Sequence, residues 1–346
     1  MKAAYILKHG DLNNLIVGNL DKPKINAKEI MIETSFSALN HIDLFIIKGW
    51  PGLDLKMPHI FGSDASGIAI DVGSSVSTIK KGDRVAINPG LSCGTCYSCL
   101  SGKQNFCKNF SIMGEHQWGT HAEYFVVPEV NAIKLPSDVN FEAAAAAPLT
   151  FLTAWRALKS QARIQNGETV VIYGAGGGVS TAAIQIAKYL GATVITTTSS
   201  VEKVEMAKKL GADFAINYNE NPNFDVLIYK DIMKREGVDV VLDSVGKATF
   251  ERSLRLLKPG GRLVTPGSTT GPISEVDLRQ IFWKQLEVKG TTMSNQSEFR
   301  DVMKLIFNGK LIPIIDKVFS LNDIKKAEEY LQEGKQFGKV LLKVKE

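Results

Sequence analysis

The chain has 346 residues, long for one hydrophobic core and comfortable for two domains. Apolar residues make up 44 % and charged residues 22 %, the balance of an ordinary globular protein. A formal charge of +5 with no long Lys/Arg run argues against nucleic-acid or membrane partners and leaves a small anionic ligand as the reason for local basic residues.

The opening, MKAAYILKHGDL, lacks an apolar core of signal-peptide length. Up to about residue 130, short apolar runs such as EIMIETSFSAL, SGIAIDVG, DRVAIN and AEYFVVP alternate with Gly, Pro and Asp turn signals, the texture of antiparallel strands. Inside this region, GLSCGTCYSCLSGKQNFC carries all four cysteines of the chain, Cys93, Cys96, Cys99 and Cys107. Two C-x2-C steps and a seven-residue gap suit convergence on one tetrahedral Zn2+. A site closed by four protein ligands leaves no open position for substrate, so one structural zinc per subunit is expected. Two disulfides or four unrelated thiols are the competing readings, and a disulfide framework belongs with an export signal.

From about Glu142 strand patterns (TVVIYG, TVITTT, VDVVLDSVG, GRLVTPG, LEVKGTT) alternate with helical ones (STAAIQIAKYLG, VEKVEMAKKLG), which predicts a parallel sheet covered on both faces. The uncharged run from Thr169 to Ala187 is nearly long enough to span a bilayer. Its three consecutive glycines, with Ser180, Thr181 and Gln185, fit strand, tight turn and buried helix instead. A cytoplasmic location in a reducing compartment is therefore expected. Gly174, Gly177 and Ser180 form a G-x-x-G-x-x-S turn between that strand and helix, the context in which small residues admit a pyrophosphate to a helix N-terminus. The next strand, ATVITTTSS, ends without the Asp or Glu that holds the ribose hydroxyls of NAD. Ser199, Ser200 and Lys203 follow instead and suit a 2′-phosphate, so NADPH is expected over NADH. The residues expected to line the coenzyme are Thr153, Gly174, Gly176, Gly177, Gly178, Val179, Ser199, Ser200, Lys203, Ser244, Gly267 and Ser268. The tail from about Ser294 adds two helical stretches and a last strand, KVLLKVK, most simply returned to the N-terminal β region.

Together KAA at the start, PHIFGSDASG, KKGDRVAINPG, the four-cysteine segment, GTHAEYFVVP, the glycine turn, VDVVLDSVG, LLKPGGRLV and FGKVLLKV resemble the medium-chain dehydrogenase/reductase superfamily over essentially the whole chain. The resemblance implies an α/β fold: a GroES-like, β-rich catalytic domain at 1–141 and 291–346, with a zinc lobe at about 90–110, and a Rossmann doubly wound domain at 142–290. Alcohol dehydrogenases of that family hold a catalytic zinc through the Cys of C-x-x-D, the His of G-H-E and a Cys just before the coenzyme domain. Here those places read Asn40-His41-Ile42-Asp43, Gly62-Ser63-Asp64 and the cysteine-free APLTFLTAW. Ile42 stands where the family relays the alcohol proton.

N-x-x-D and AAPLTFLTAW are similar to the quinone oxidoreductase branch. The expected activity is therefore NADPH-dependent hydride transfer, without catalytic zinc, to a small-molecule acceptor: a quinone or the activated C=C bond of an α,β-unsaturated carbonyl. Asn40 is expected to orient the acceptor or the nicotinamide, with Asp43 and Ser63 nearby. A zinc alcohol dehydrogenase with atypical ligands, recruiting His41 and Asp64, is the alternative, and a catalytically idle NADPH-binding protein is the third reading. Alternation along an extended chain would point His41 away from residue 40. His59, His116 and His121 are scattered and receive no catalytic role. Trp50, Trp118 and Phe151 suggest an apolar pocket, although aromatics are more often core. The strand Leu286 to Thr292 resembles the sheet edge through which the family self-associates, so a homodimer or homotetramer is expected.

Overall fold

In the strand Glu29–Ala38, Ile30, Ile32 and Thr34 are buried while the residues between them are partly exposed, the period-two signature of a sheet with one covered face. This strand is the spine of the first of two units in the computed structural model, which describes residues 1–345. Its sheet runs Ala132–Lys134, Arg84–Ile87, Asp64–Val72, Glu29–Ala38, Lys339–Lys343 and Ile315–Ser320, and Tyr124–Pro128 pairs with the first half of Glu29–Ala38. Ile30, Ile32, Val85, Ile87, Phe125 and Val127 close one core on it, each contributing roughly 1.5–3 kcal/mol by leaving water. Gly67 is required where this sheet pinches: a Cβ there would lie 2.0 Å from the Glu33 carbonyl oxygen.

The last strand does return to the N-terminal sheet, with Leu341 opposite Ala38 and Lys343 opposite Phe36 in antiparallel register. Its other neighbour, Ile315–Ser320, runs parallel to it, so a crossover is needed, and the helix Ile324–Gln332 lies in that connection. A second core forms where this helix and the helix His41–Lys48 contribute Ile46, Ile47, Ile324, Ala327 and Leu331 against Ile6, Leu39, Phe61 and Leu342.

The chain divides at Leu152/Thr153 and at Met293/Ser294, whereas the sequence pattern set the first division after residue 141. The helix Phe141–Ala146 belongs to the first unit: Ser66 Oγ donates to the Phe141 carbonyl at 2.6 Å, and Ala146 packs with Ala38 and Leu341.

The second unit, Thr153–Met293, holds a six-stranded, wholly parallel sheet. Its order is Phe214–Asn217, Thr193–Thr198, Thr169–Ile172, Val238–Leu242, Leu257–Thr265, Glu287–Gly290. Every residue of Val238–Leu242 is buried, as befits a strand covered on both faces. The order reverses between Thr169–Ile172 and Val238–Leu242, the switch point at which doubly wound sheets bind ligands beyond the carboxyl ends of their strands. Among the described residues, no helix is long and apolar enough to cross a membrane.

Candidate functional site

The four cysteines converge. Cys93 Sγ lies 3.5 Å from Cys107 Sγ and 3.9 Å from Cys99 Sγ, and Cys96 Sγ lies 3.6 Å from Cys99 Sγ. The edge of a tetrahedron with zinc–sulfur bonds of about 2.3 Å is about 3.8 Å, so the cage fits that ion. None of the four is disulfide-bonded. The N–H groups of Thr95 and Cys96 bring the Cys93 thiol down to about 6. Cys96 goes the other way: the N–H of Cys99 favours its thiolate, but desolvation and the neighbouring sulfurs outweigh it and push it up to about 11. Four sulfurs at these separations form a donor set suited to one cation among them.

The glycine turn of the second unit is built as its spacing implied. Gly174 has φ +71, open to glycine at little cost, and a Cβ there would meet nothing nearer than Ser180 Oγ at 4.0 Å. Gly177 precedes the twelve-residue helix Gly178–Tyr189 and offers no side-chain cap, so the first-turn N–H groups near Gly178 and Val179 remain for an anion. Ser180 Oγ turns inward to the Tyr173 carbonyl at 2.6 Å and ties the turn to its strand. Gly176 lies in the same turn.

Beside it, Ser244 follows the strand Val238–Leu242, and Gly267 and Ser268 follow Leu257–Thr265. The two loops are stitched by Thr269 N–H to the Ser244 carbonyl at 3.2 Å and Thr270 N–H to the Val245 carbonyl at 2.9 Å. Thr153 is buried, with Oγ1 3.9 Å from Met293 Sδ. At the end of Thr193–Thr198, Ser199 and Ser200 stand before the helix Val201–Lys209, and Ser200 Oγ accepts from Lys203 N–H at 3.3 Å. Glu202 adds a carboxylate that the sequence reading did not weigh. The Ser200 hydroxyl and its own N–H hold it below the usual carboxylate range, so an anion shares this corner with Lys203.

The expected catalytic residues lie in the first unit, where the backbone differs from expectation. His41 opens a helix and is exposed, so residues 40 and 41 part because a helix begins there rather than by strand alternation. Asp43 secures that start, accepting from Asn40 N–H at 2.7 Å. The Asn40 side chain is already engaged. Its Oδ1 accepts from Lys339 Nζ at 2.6 Å, and its Nδ2 donates to Asp64 Oδ2 at 3.0 Å and to the Ala38 carbonyl at 3.3 Å. Lys339 Nζ also reaches the Leu39 carbonyl at 2.7 Å and Asp64 Oδ2 at 3.1 Å, while Asp64 Oδ1 accepts from Leu149 N–H at 2.8 Å. Ser63, one residue before Asp64, is fully buried, and its hydroxyl has no hydrogen-bond partner among the described residues.

His121 sits beneath this set. Gly62 has φ +97, and a Cβ on it would strike the His121 ring at 2.6 Å, so glycine leaves the space the ring fills. His121 Nδ1 pairs with Ser37 Oγ at 2.7 Å, and Nε2 lies 3.5 Å from Asp43 Oδ2. His121 was given no catalytic role in the sequence and Lys339 was not singled out; the pairing of the last strand brings in Lys339, and long-range backbone contacts bring in His121. Glu328 was also missed, though it left a sign: it stands in the buried stripe Ile324, Ala327, Leu331 of its helix, where an apolar residue belongs. His59 is structural, its Nε2 at 2.8 Å from the Gly114 carbonyl, and His116 is exposed. The three aromatics do not form one pocket. Trp118 borders an open cavity of about 500 Å3 with Tyr124 and Phe125, which neither Trp50 nor Phe151 lines, and Phe151 is core.

Residues 26–137 match the alcohol dehydrogenase GroES-like domain and residues 178–308 the zinc-binding dehydrogenase family. A zinc-type alcohol dehydrogenase-like protein of Schizosaccharomyces pombe is 32 % identical over 328 residues, 93 % of this chain and 92 % of that one. An acryloyl-coenzyme A reductase of Metallosphaera sedula is 30 % identical over 345 residues, 99 % of each. Among solved structures, an NAD-dependent alcohol dehydrogenase superposes with a TM-score of 0.95 at 38 % identity, covering 100 % of both chains.

Proposed function

The chain belongs to the medium-chain dehydrogenase/reductase superfamily and is an NAD(P)-dependent oxidoreductase, and we propose that it reduces an activated C=C bond conjugated to a carbonyl, or a quinone, without a catalytic zinc. The Lys339 ammonium carries this reading. A zinc ion on Asn40 Oδ1, with a bond of about 2.1 Å, would lie no more than about 4.7 Å from an Nζ already 2.6 Å from that oxygen. Charges of +2 and +1 at that separation repel by roughly 7 kcal/mol at an effective dielectric of about 20. Both oxygens of Asp64 are occupied, and His41 is exposed at the start of its helix, so the atypical ligand pair has no free carboxylate to offer. A catalytic zinc does not fit these residues.

When bound, the dihydronicotinamide supplies the hydride and leaves as the oxidised coenzyme. The second unit's part is to hold it: Gly174 to Val179 cradle the pyrophosphate, and Ser244, Gly267 and Ser268 border the same end of the sheet. As hydride reaches the β-carbon of an enone, negative charge builds on the carbonyl oxygen, and water supplies the proton taken by the α-carbon. Ser63 Oγ, beside Asp64 and without a hydrogen-bond partner among the described residues, is a donor that could meet such charge. Asn40, its amide fixed by Lys339 and Asp64, shapes the polar wall and keeps one lone pair of Oδ1 for a ligand donor. The enoyl thioester in the name of the Metallosphaera relative is an acceptor of this chemical class.

NADPH is the coenzyme favoured by Lys203 and the hydroxyls of Ser199 and Ser200, against the opposing charge of Glu202. Alcohol oxidation is the second reading, favoured by the names of the yeast relative and the superposed structure. Coenzyme oxidation with enones, enoyl thioesters and quinones, set beside alcohol oxidation and zinc content, separates the readings. Turnover of enone or quinone at one zinc per chain is expected. Zinc-stimulated alcohol turnover at two zinc ions per chain overturns the proposal, and inactivity toward all acceptors leaves the idle coenzyme-binding protein.

A further inference from the structure

Beneath the Asn40 site lies a second polar cluster for which hydride transfer has no direct use. Asp43, His121 and Glu328 are each completely buried, and Asp43 Oδ1, His121 Nε2 and both Glu328 carboxylate oxygens have no hydrogen-bond partner among the described residues. Their ligating atoms all lie within 4.8 Å of one another. Four such polar atoms converging in one fully buried space are costly unless something is shared between them. A second carboxylate facing Asp43 would repel it if both were ionised, and a dication between them would face the nearby Lys339 ammonium. A proton satisfies both oxygens.

We propose that Glu328 is a positioning residue: as a neutral acid it donates its proton to Asp43 Oδ1 and, with the His121 ring 3.5 Å from Oδ2, locks the carboxylate that holds the Asn40 backbone at the start of the helix His41–Lys48. Asp43 Oδ2 accepts from Asn40 N–H at 2.7 Å, so any swing of this carboxylate moves Asn40 directly. His121 is itself oriented by Ser37 Oγ on Nδ1, which leaves Nε2 aimed at Asp43. The charged and titratable groups around Glu328 are Asp43 on the helix His41–Lys48, His121 ahead of the strand Tyr124–Pro128, and Lys339 on the last strand, with Asp64 beyond Lys339. Burial pushes the Glu328 carboxyl well above its usual range, the charge of Asp43 adds to this, and Lys339 opposes it. The helix places the acid by its period alone, since Glu328 follows Ile324 by four residues and precedes Leu331 by three on the buried stripe.

The kinetic arm of the test rests on the reductase reading; the spectroscopic arm does not. Infrared spectra of the whole protein at neutral pH should show the carbonyl stretch of a buried carboxylic acid that disappears in Glu328→Gln. Glu328→Gln keeps a donor of the same shape, and its kcat should stay within about threefold of the parent. Glu328→Ala leaves Asp43 Oδ1 unpartnered, and its kcat should fall roughly tenfold with the coenzyme KM unchanged. If Glu328→Ala folds poorly, Glu328→Leu fills the space without a donor and should show the same loss. A missing acid band, a Gln variant as impaired as the Ala variant, or a second equivalent of metal lost in Glu328→Gln would each overturn the proposal. Inactivity of the unmutated protein toward every acceptor defeats the reductase reading alone, and the infrared band then decides the triad.

Discussion

Lys339→Met is the sharpest perturbation of this site. The substitution keeps the length and apolar stem of the side chain but removes a charge that makes hydrogen bonds to the Leu39 carbonyl, Asn40 Oδ1 and Asp64 Oδ2. Asp64 is fully buried and would keep only the Asn40 amide and Leu149 N–H as partners. Breaking a buried ion pair from one side costs about 3–5 kcal/mol, because the remaining charge is uncompensated. With roughly 2–4 °C of Tm per kcal/mol for a unit of this size, the melting point should fall on the order of 10 °C. Adding Asp64→Asn removes that stranded charge and keeps an acceptor for Leu149 N–H. The double variant should therefore be more stable than Lys339→Met alone, with a coupling of about 2 kcal/mol by denaturant titration. In the single variant kcat for enone or quinone should drop, since Asn40 Oδ1 loses the group that orients it. A Lys339→Met protein that melts within about 2 °C of the parent, or a double variant whose losses simply add, would refute the ion-pair argument.

Cys93→Ser should take zinc content from one ion per chain to none and lower Tm, with chelation eroding stability before hydride transfer; elemental analysis decides, and unchanged zinc would remove the tetrathiolate site. Ser63→Ala should cut kcat about 100-fold while leaving coenzyme affinity alone, as loss of a single oxyanion donor does; a change confined to coenzyme KM would assign Ser63 elsewhere. Lys203→Ala should raise the NADPH KM and leave that for NADH nearly unchanged, and equal weakening of both would show that Lys203 does not read the 2′-phosphate. Among the described residues Glu287–Gly290 pairs on one side only, with Leu257–Thr265, and Val288 on it is exposed, so a homodimer or homotetramer is expected through this edge. Light scattering should show it at micromolar concentration, and a monomer there would refute it.

What the sequence made legible was local. The cysteine cage depends on four residues within fifteen positions, and the glycine turn on a strand, a loop and a helix that follow one another directly. Such features need only their own backbone to form. The parallel sheet was legible for a related reason, because fully buried strands alternating with helices have few other ways to pack. The return of the C-terminal strand followed from its being left over. Its partner strand could be anticipated; its register could not.

That register is where the catalytic reading was thinnest. Lys339 meets Asn40 across 299 residues because Leu341 pairs with Ala38, and a slip of one residue would send the ammonium to the opposite face of the sheet. Nothing in FGKVLLKV distinguishes this inward lysine from Lys343, which is exposed four residues later. Glu328 follows from the same geometry, since the helix bearing it lies in the crossover between the last two strands and packs against the helix that Asn40 precedes. His121 arrives through another long-range contact, its carbonyl accepting from Ala4 N–H at 2.8 Å. The residues at the family's zinc-ligand positions thus announced themselves by what they lack, while Lys339 and Glu328 come to the same site from the far end of the chain. Asp64 is fully buried and Lys339 supplies its counter-charge, so the carboxylate is neutralised by this chain's own residues, which is the observation the proposed reductase chemistry draws on.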